Sequence, residues 1–318
     1  MDFVIFILAI GALILGADFI VNQSERIAVH FNIPEFVIGA TVIALGTSLP
    51  EVAASVTASL NEKPEIALAN AIGSNIFNIT LVLSLIFIVT KNINPHRDFF
   101  AKDTTWALVP VMLFIIMGID GEISKADAIF LLALMFAYVL FLLEDTPPIE
   151  NETIEEIKKE DSNFFWLRSI ALLGVGFILV VGGANFTVES ASGIATNFGI
   201  SDRVIAIVLI SFGTSLPELV ISVAAALKGK VDMAIGNIIG SNLANISLVI
   251  GLSALVSEKS IPIDLTLRTT VFDIATMTVA TIMLIYITAN KLYSKPAGIS
   301  LLILLALFLE GTYKSMSV

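Results

Sequence analysis

The sequence predicts an all-α polytopic membrane protein: ten transmembrane helices arranged as two inverted five-helix repeats. Three observations carry this. The 318 residues are 57% hydrophobic and only 14% charged, with a mean hydropathy of +0.95, whereas a soluble domain is nearer about 25% charged. The apolar residues gather into stretches long enough for helices that cross a hydrocarbon core, which takes about 20 residues each. The hexapeptide Gly46-Thr47-Ser48-Leu49-Pro50-Glu51 recurs letter for letter as Gly213-Thr214-Ser215-Leu216-Pro217-Glu218.

In chain order the ten spans are predicted near 2–22, 35–60, 65–90, 104–119, 124–143, 164–188, 200–227, 231–256, 267–289 and 297–313. The first lacks a basic leading region and a small-residue cleavage site, so it reads as a retained span rather than a cleaved signal. The second and seventh hold the two hexapeptides. The fourth is short, and Pro110 is expected to kink it. Between the fifth and sixth lies the one sizeable polar stretch, with Pro147-Pro148 and a run of Glu and Lys. The expected organisation is therefore a first repeat over 1–143, an acidic linker over 144–163 and a second repeat over 164–318. The linker acids read as a solvated run, not as a calcium sensor.

Charge sets the orientation. Loops after odd-numbered spans hold eleven of the 17 Lys and Arg residues, and the opposite side holds six. The positive-inside rule then places both termini outside and the linker in the cytoplasm. The net charge of −11 comes partly from the linker and does not point to nucleic acid. With no cysteine, disulfides and thiolate metal sites are excluded.

The hexapeptides stand 167 residues apart, and that offset holds without a gap on either side. Gly16-Ala17 matches Gly183-Ala184, Asn70 matches Asn237, Gly73-Ser74-Asn75 matches Gly240-Ser241-Asn242, and Asn78 matches Asn245. Between 39–85 and 206–252, 23 of 47 positions are identical. Five spans separate equivalent points, so the second copy is inverted in the membrane. Inverted repeats with a site at the midplane are the plan of many secondary transporters.

Each hexapeptide offers a cluster of hard oxygens. Pro50 has no N–H and its ring displaces the carbonyl of Gly46, which frees carbonyls around Ala44 to Thr47 from the helix ladder. Irregular backbone at membrane depth survives only when buried in protein or lining a wet cavity. Thr47, Ser48 and Glu51 add two hydroxyls and a carboxylate, and the next span adds Ser74 and Asn78. The second copy supplies the Ser211 carbonyl, Thr214, Ser215, Glu218, Ser241 and Asn245. Calcium takes six to eight oxygen ligands at about 2.3–2.6 Å in flexible geometry, and sodium, a hard cation of similar size, accepts the same donors. Neither His30 nor His96 occupies a core span position, so softer metals are disfavoured.

Plainer roles compete for some of these residues. Gly236-xxx-Gly240 and Ala69-xxx-Gly73 fit close helix packing, and single hydroxyls can bond back to their own helix. Asn70 and Asn237 suit bracing of broken helices better than ligation. Asp18 and Asp273 are not duplicated as acids and suit interface positions. For Glu51 and Glu218 a buried basic partner is the structural alternative, but no Lys or Arg lies within the spans to serve.

Gly-Thr-Ser-Leu-Pro-Glu followed by Gly-Ser-Asn-xxx-Asn, twice and inverted, resembles the alpha-repeats of the prokaryotic sodium/calcium exchangers in the calcium/cation antiporter superfamily. The resemblance implies four cation sites at the membrane centre. Glu51, Glu218, Thr47 and Thr214 would form the calcium site, and Ala44, Ser48, Ser74, Ser211, Ser215 and Ser241 the flanking sodium sites. It also implies that spans 1 and 6 slide as a gating pair, on faces that include Gly11, Gly16, Gly174, Gly176, Gly182 and Gly183. Many relatives carry Asp where this chain has Asn245, so the central pair here is Asn78 and Asn245, both neutral, and potassium dependence is not expected.

The expected function is a secondary active antiporter exchanging Na+ for Ca2+ by alternating access, in a prokaryotic inner membrane. Its partners would be the two transported ions and the lipid bilayer, with no cofactor and no obligate protein partner. A H+/Ca2+ (or other divalent cation) antiporter is the near alternative, since both glutamates could carry protons, although a proton carrier needs no cage of hydroxyls. A cation channel is the alternative from another class. No GxGD, HExxH or GxSxG motif supports an intramembrane hydrolase.

Overall fold

The computed structural model describes residues 2–90, 93, 95–144, 163–197 and 213–316. It is helical throughout these residues apart from one two-residue strand pair and the connecting turns. The helices are α1 (Asp2–Phe31), α2 (Glu35–Thr47), α3 (Leu49–Leu60), α4 (Pro64–Val89), α5 (Phe99–Asp120), α6 (Lys125–Glu144), α7 (Asn163–Asn197), α8 (Leu216–Leu227), α9 (Val231–Val256), α10 (Arg268–Ala289) and α11 (Lys295–Met316). Among the described residues, eight helices are long and apolar enough to cross a membrane, and the broken pair α2–α3 makes a ninth. α8 is a shorter apolar helix. The seventh predicted span begins in 198–212 and the acidic linker occupies 145–162, both outside the described residues.

Two helices outrun their apolar stretches. α1 continues past the predicted end at 22 to Phe31, and α7 runs to Asn197 rather than 188. In α1 the continuation through Gln23-Ser24-Glu25-Arg26 keeps Gln23, Ser24 and Ala28 buried, so packing extends the helix beyond the hydropathy signal. Pro110 lies inside the continuous helical segment Thr104–Met117, whereas the one interruption of α5 falls at Asp103, which takes a bidentate ion pair from Arg97.

By internal packing the chain divides into two compact units. The first comprises residues 1–47 and 142–237: α1, α2, α7, α8 and the start of α9. Its main seam is α1 along α7. A Cβ added at Gly16 would lie 2.7 Å from the Gly176 carbonyl oxygen, and one at Gly183 3.0 Å from that of Ala9. Only glycine lets the backbones approach this closely. Gly11, Gly174 and Gly182, grouped with these in the expected sliding face, have nothing within 4 Å and are not part of the seam.

The second unit comprises residues 48–141 and 238–318: α3 to α6, the rest of α9, α10 and α11. Phe87, Phe99, Phe114 and Tyr138 are fully buried. The strand pair β1 (Glu122–Ile123) and β2 (Ile261–Pro262) ties the α5–α6 turn to the α9–α10 loop, with Gly121 at φ 93° supplying the left-handed residue that the turn needs.

The turns that follow α3 and α8 have the same form despite different residues. Glu62 (φ 59°) stands where the second copy has Gly229 (φ 79°). Lys63 N–H bonds the Ala58 carbonyl at 2.9 Å, and Lys230 N–H bonds the Ala225 carbonyl at 2.8 Å, which closes each helix with a left-handed cap.

Candidate functional site

The predicted donors divide between the two units. Ala44, Thr47, Thr214, Ser215 and Glu218 belong to the first, and Ser48, Glu51, Ser74, Asn78, Ser241 and Asn245 to the second. Ser211 lies outside the described residues.

In the first unit, α2 ends at Thr47, fully buried, whose hydroxyl donates to the Ala44 carbonyl at 3.2 Å and to Asn237 Oδ1 at 3.5 Å. The Ala44 carbonyl, expected to be released, thus keeps a side-chain partner and has its second lone pair to offer. Ser215 (φ −86°, ψ 2°) starts α8, with Pro217 in the first turn and Glu218 buried behind it. Thr214 is half-buried, unlike its counterpart Thr47. The glycines of both hexapeptides sit under α7: a Cβ at Gly46 would run into the Phe177 ring, and one at Gly213 would meet Val188 Cγ2 at 2.7 Å.

In the second unit, Ser48 (φ −81°, ψ 0°) opens α3 with Pro50 and Glu51 in its first turn. Glu51 is 1% exposed and no Lys or Arg lies on α3, so the carboxylate sits at a helix N-terminus, where the backbone dipole favours negative charge. Ser74 and Asn78 lie on α4, Ser241 and Asn245 on α9, all buried. Among the described residues the hydroxyls of Ser48 and Ser74, the whole Asn78 amide and Asn245 Oδ1 have no hydrogen-bond partner; in the first unit the same holds for Ser215 Oγ. Buried polar atoms in proteins are nearly always bonded. A run of exceptions among oxygens of one chemical type suits a bound hard cation.

Both asparagines open a π-helical turn, Asn78–Leu83 in α4 and Asn245–Val249 in α9, a distortion frequent at functional sites. Two residues on, Thr80 and Ser247 each bond the carbonyl four residues back, at 2.6 and 2.5 Å. Sequence reasoning missed these turns; the only trace was Asn followed two residues later by Ser or Thr, in both copies.

Asn70 and Asn237 brace rather than ligate. Asn70 Nδ2 donates to Ser55 Oγ at 3.0 Å and the Glu51 carbonyl at 3.5 Å, and Asn237 Nδ2 donates to Ser222 Oγ at 2.9 Å. Ser55 and Ser222 are themselves equivalent at the 167-residue offset. Asp18 does not ligate either: it is half-exposed, accepts from Asn22 Nδ2 at 3.0 Å and pairs with Lys228. Asp273 is half-buried on α10.

Known proteins resemble the chain over almost its whole length. The family described as sodium/calcium exchanger protein matches residues 1–144 and 168–314. The sodium/calcium exchanger MaX1 of Methanosarcina acetivorans is 30% identical over 97% of both chains. The inner membrane protein YrbG of Escherichia coli is 34% identical over 80% of this chain and 82% of its own. Among solved structures, the sodium-calcium exchanger NCX_Mj soaked with 10 mM Na+ and zero Ca2+ superposes with a TM-score of 0.82 at 36% identity, over 96% of this chain and 97% of that one.

Proposed function

This chain belongs to the sodium/calcium exchanger protein family, and from that premise we propose that it is a secondary active antiporter exchanging Na+ for Ca2+ by alternating access. It is a membrane protein and a transporter rather than an enzyme; Na+ and Ca2+ are its cargo. The single observation that carries the site reading is a glutamate, 1% exposed, in each of two identical hexapeptides, accompanied by buried oxygens without hydrogen-bond partners. The proposed ion-binding residues are Ala44, Thr47, Ser48, Glu51, Ser74, Asn78, Ser211, Thr214, Ser215, Glu218, Ser241 and Asn245. Two carboxylates balance one Ca2+, and the hydroxyls and carbonyls accept competing Na+ ions. Either load offsets the mutual repulsion of the glutamates, so the loaded protein changes state and the empty one does not.

The ten-helix count, the two repeats over 1–143 and 164–318, the cytoplasmic linker and the inner-membrane placement with both termini outside complete the proposal. The gap-free 167-residue offset and the Lys and Arg asymmetry support it.

The test is calcium uptake into proteoliposomes driven by an outward Na+ gradient with the proton gradient collapsed. Removing one unit charge about 4 Å from a cation costs about 4 kcal/mol per cation charge at an effective dielectric of about 20, so Glu51→Gln and Glu218→Gln each lower Ca2+ affinity by about a thousandfold. Normal uptake by both variants sinks the site. Uptake that requires the proton gradient replaces Na+ by H+ as the counter-ion, and large unitary currents without coupled exchange replace the antiporter by a channel.

A further inference from the structure

The second unit contains an amide relay that the ion-binding residues above do not explain. Asn245 Nδ2 donates to Asn75 Oδ1 at 3.1 Å, and Asn75 Nδ2 donates to Met277 Sδ at 3.7 Å. A thioether only accepts, so the direction of the relay is fixed from the Met277 end. Asn75 must spend its NH2 on sulfur and offer its oxygen to Asn245. Asn245 must then present its NH2 to Asn75, which leaves Asn245 Oδ1, buried and without a partner, to face elsewhere.

That orientation matters for a cation. An amide ends in an acceptor oxygen and an NH2 of nearly the same shape, and an ion attracted by the first is repelled by the second. A carboxylate needs no such control; an asparagine does.

The repeat-mates of this pair are Asn242 and Asn78, both in the same unit. Their bond is not made. Asn242 Oδ1 has no partner, and neither do Asn78 Nδ2 and Oδ1, although Asn78 is fully buried and Asn242 is 5% exposed. The unpartnered acceptor and the unpartnered donor are the complementary halves of the bond that the other copy forms.

We propose that Asn75 is a positioning residue that turns the Asn245 oxygen to the ion, and that Asn242 does the same for Asn78 in the opposite-facing state, one brace breaking as the other forms. The proposal rests on the ion-binding reading of Asn78 and Asn245. It assigns a task to the asparagine of each Gly-Ser-Asn triplet, next to Ser74 and Ser241, and makes the central pair of amides unequal in any one state.

The experiment measures the apparent KM for Ca2+ at each face of the membrane, in right-side-out and inside-out vesicles. Loss of one such bond corresponds to about a tenfold change. Asn75→Leu is expected to raise KM about tenfold at one face with kcat kept, and Asn242→Leu to do so at the other. In an Asn245→Asp background, where both oxygens accept, the effect of Asn75→Leu falls below about twofold. Met277→Leu, a volume-conserving change that leaves the core intact, frees Asn75 to turn and raises KM at the same face as Asn75→Leu; it keeps the test open if Asn75→Leu fails to fold. Equal effects at both faces, or an undiminished effect of Asn75→Leu in the Asn245→Asp background, overturn the proposal. Glu51→Gln run in parallel separates the failures: if it abolishes uptake, the site stands and the brace alone is wrong; if it transports normally, both fall.

Discussion

Alanine at Gly16 tests the α1–α7 seam against controls on the same two helices. The new Cβ would lie 2.7 Å from the Gly176 carbonyl oxygen, 2.8 Å from Val180 Cγ2 and 2.9 Å from Leu179 Cβ. Carbon atoms pack best about 3.5–4.0 Å apart, and a backbone oxygen and a Cβ cannot swing away, so the helices must part locally. Such overpacking costs about 1–3 kcal/mol, offset by about 0.5–1 kcal/mol from replacing a mid-helix glycine. The net expectation is a loss of about 1–2 kcal/mol. Gly11→Ala, Gly174→Ala and Gly182→Ala meet nothing within 4 Å and keep only the gain. Gly183→Ala, with its closest contacts at 3.0 Å, falls between. Two variants on one helix should therefore differ by about 2 kcal/mol, or several degrees in Tm at about 2–4 °C per kcal/mol. Recovery of monodisperse protein from a sizing column after heating in detergent reads the order. If Gly16→Ala melts with or above Gly11→Ala, the close approach is not what those glycines provide.

Breaking the Asn237–Ser222 bond has an equivalent in the Asn70–Ser55 bond, and a double-mutant cycle on either pair should return about 0.6–1.7 kcal/mol, the range for polar pairs in membranes; a coupling near zero would remove their bracing role. At Lys230, burial lowers the ammonium pKa, but bonds to Glu25 and Glu35 outweigh it and the net shift is upward. A raised lysine pKa contributes stability that is present at neutral pH and lost as pH climbs through the raised value. Lys230→Met should cost about 0.5–1 kcal/mol, the range of partly exposed pairs, and its melting point should converge with the parent above the ordinary lysine range; a gap that persists there would assign the effect to packing.

Most of the helices were legible because hydropathy and length decide them, and the duplicated hexapeptide located its own breaks, since a proline four residues after a glycine leaves the ladder no alternative. What escaped was decided by contacts distant in sequence. Asn75 reaches Met277 across 202 positions, and no local pattern announces a thioether as the end of a relay. Six seam glycines looked equivalent on a helical projection, yet three face nothing. The polar end of α1 read as a loop because hydropathy scores side chains singly, while Ser24 and Ala28 are buried by neighbours. Thr47 and Thr214 share identical flanks but not burial, a difference that no duplicated sequence can encode by itself.

The wide turns at Asn78 and Asn245 also govern how these helices tolerate change in length. Each residue of an α-helix advances the chain by about 100°, and a π turn absorbs one residue more than its neighbours do. α4 therefore presents one azimuth before Asn78, packed on α3, and another after Leu83, packed on α11. Deleting a single residue from 79–83 would restore regular winding at almost no local cost, yet swing everything from Ser84 onward by about a quarter turn. The loops can drift in length among relatives; these few residues inside the membrane form a fixed indexing gear, and their number matters more than their names.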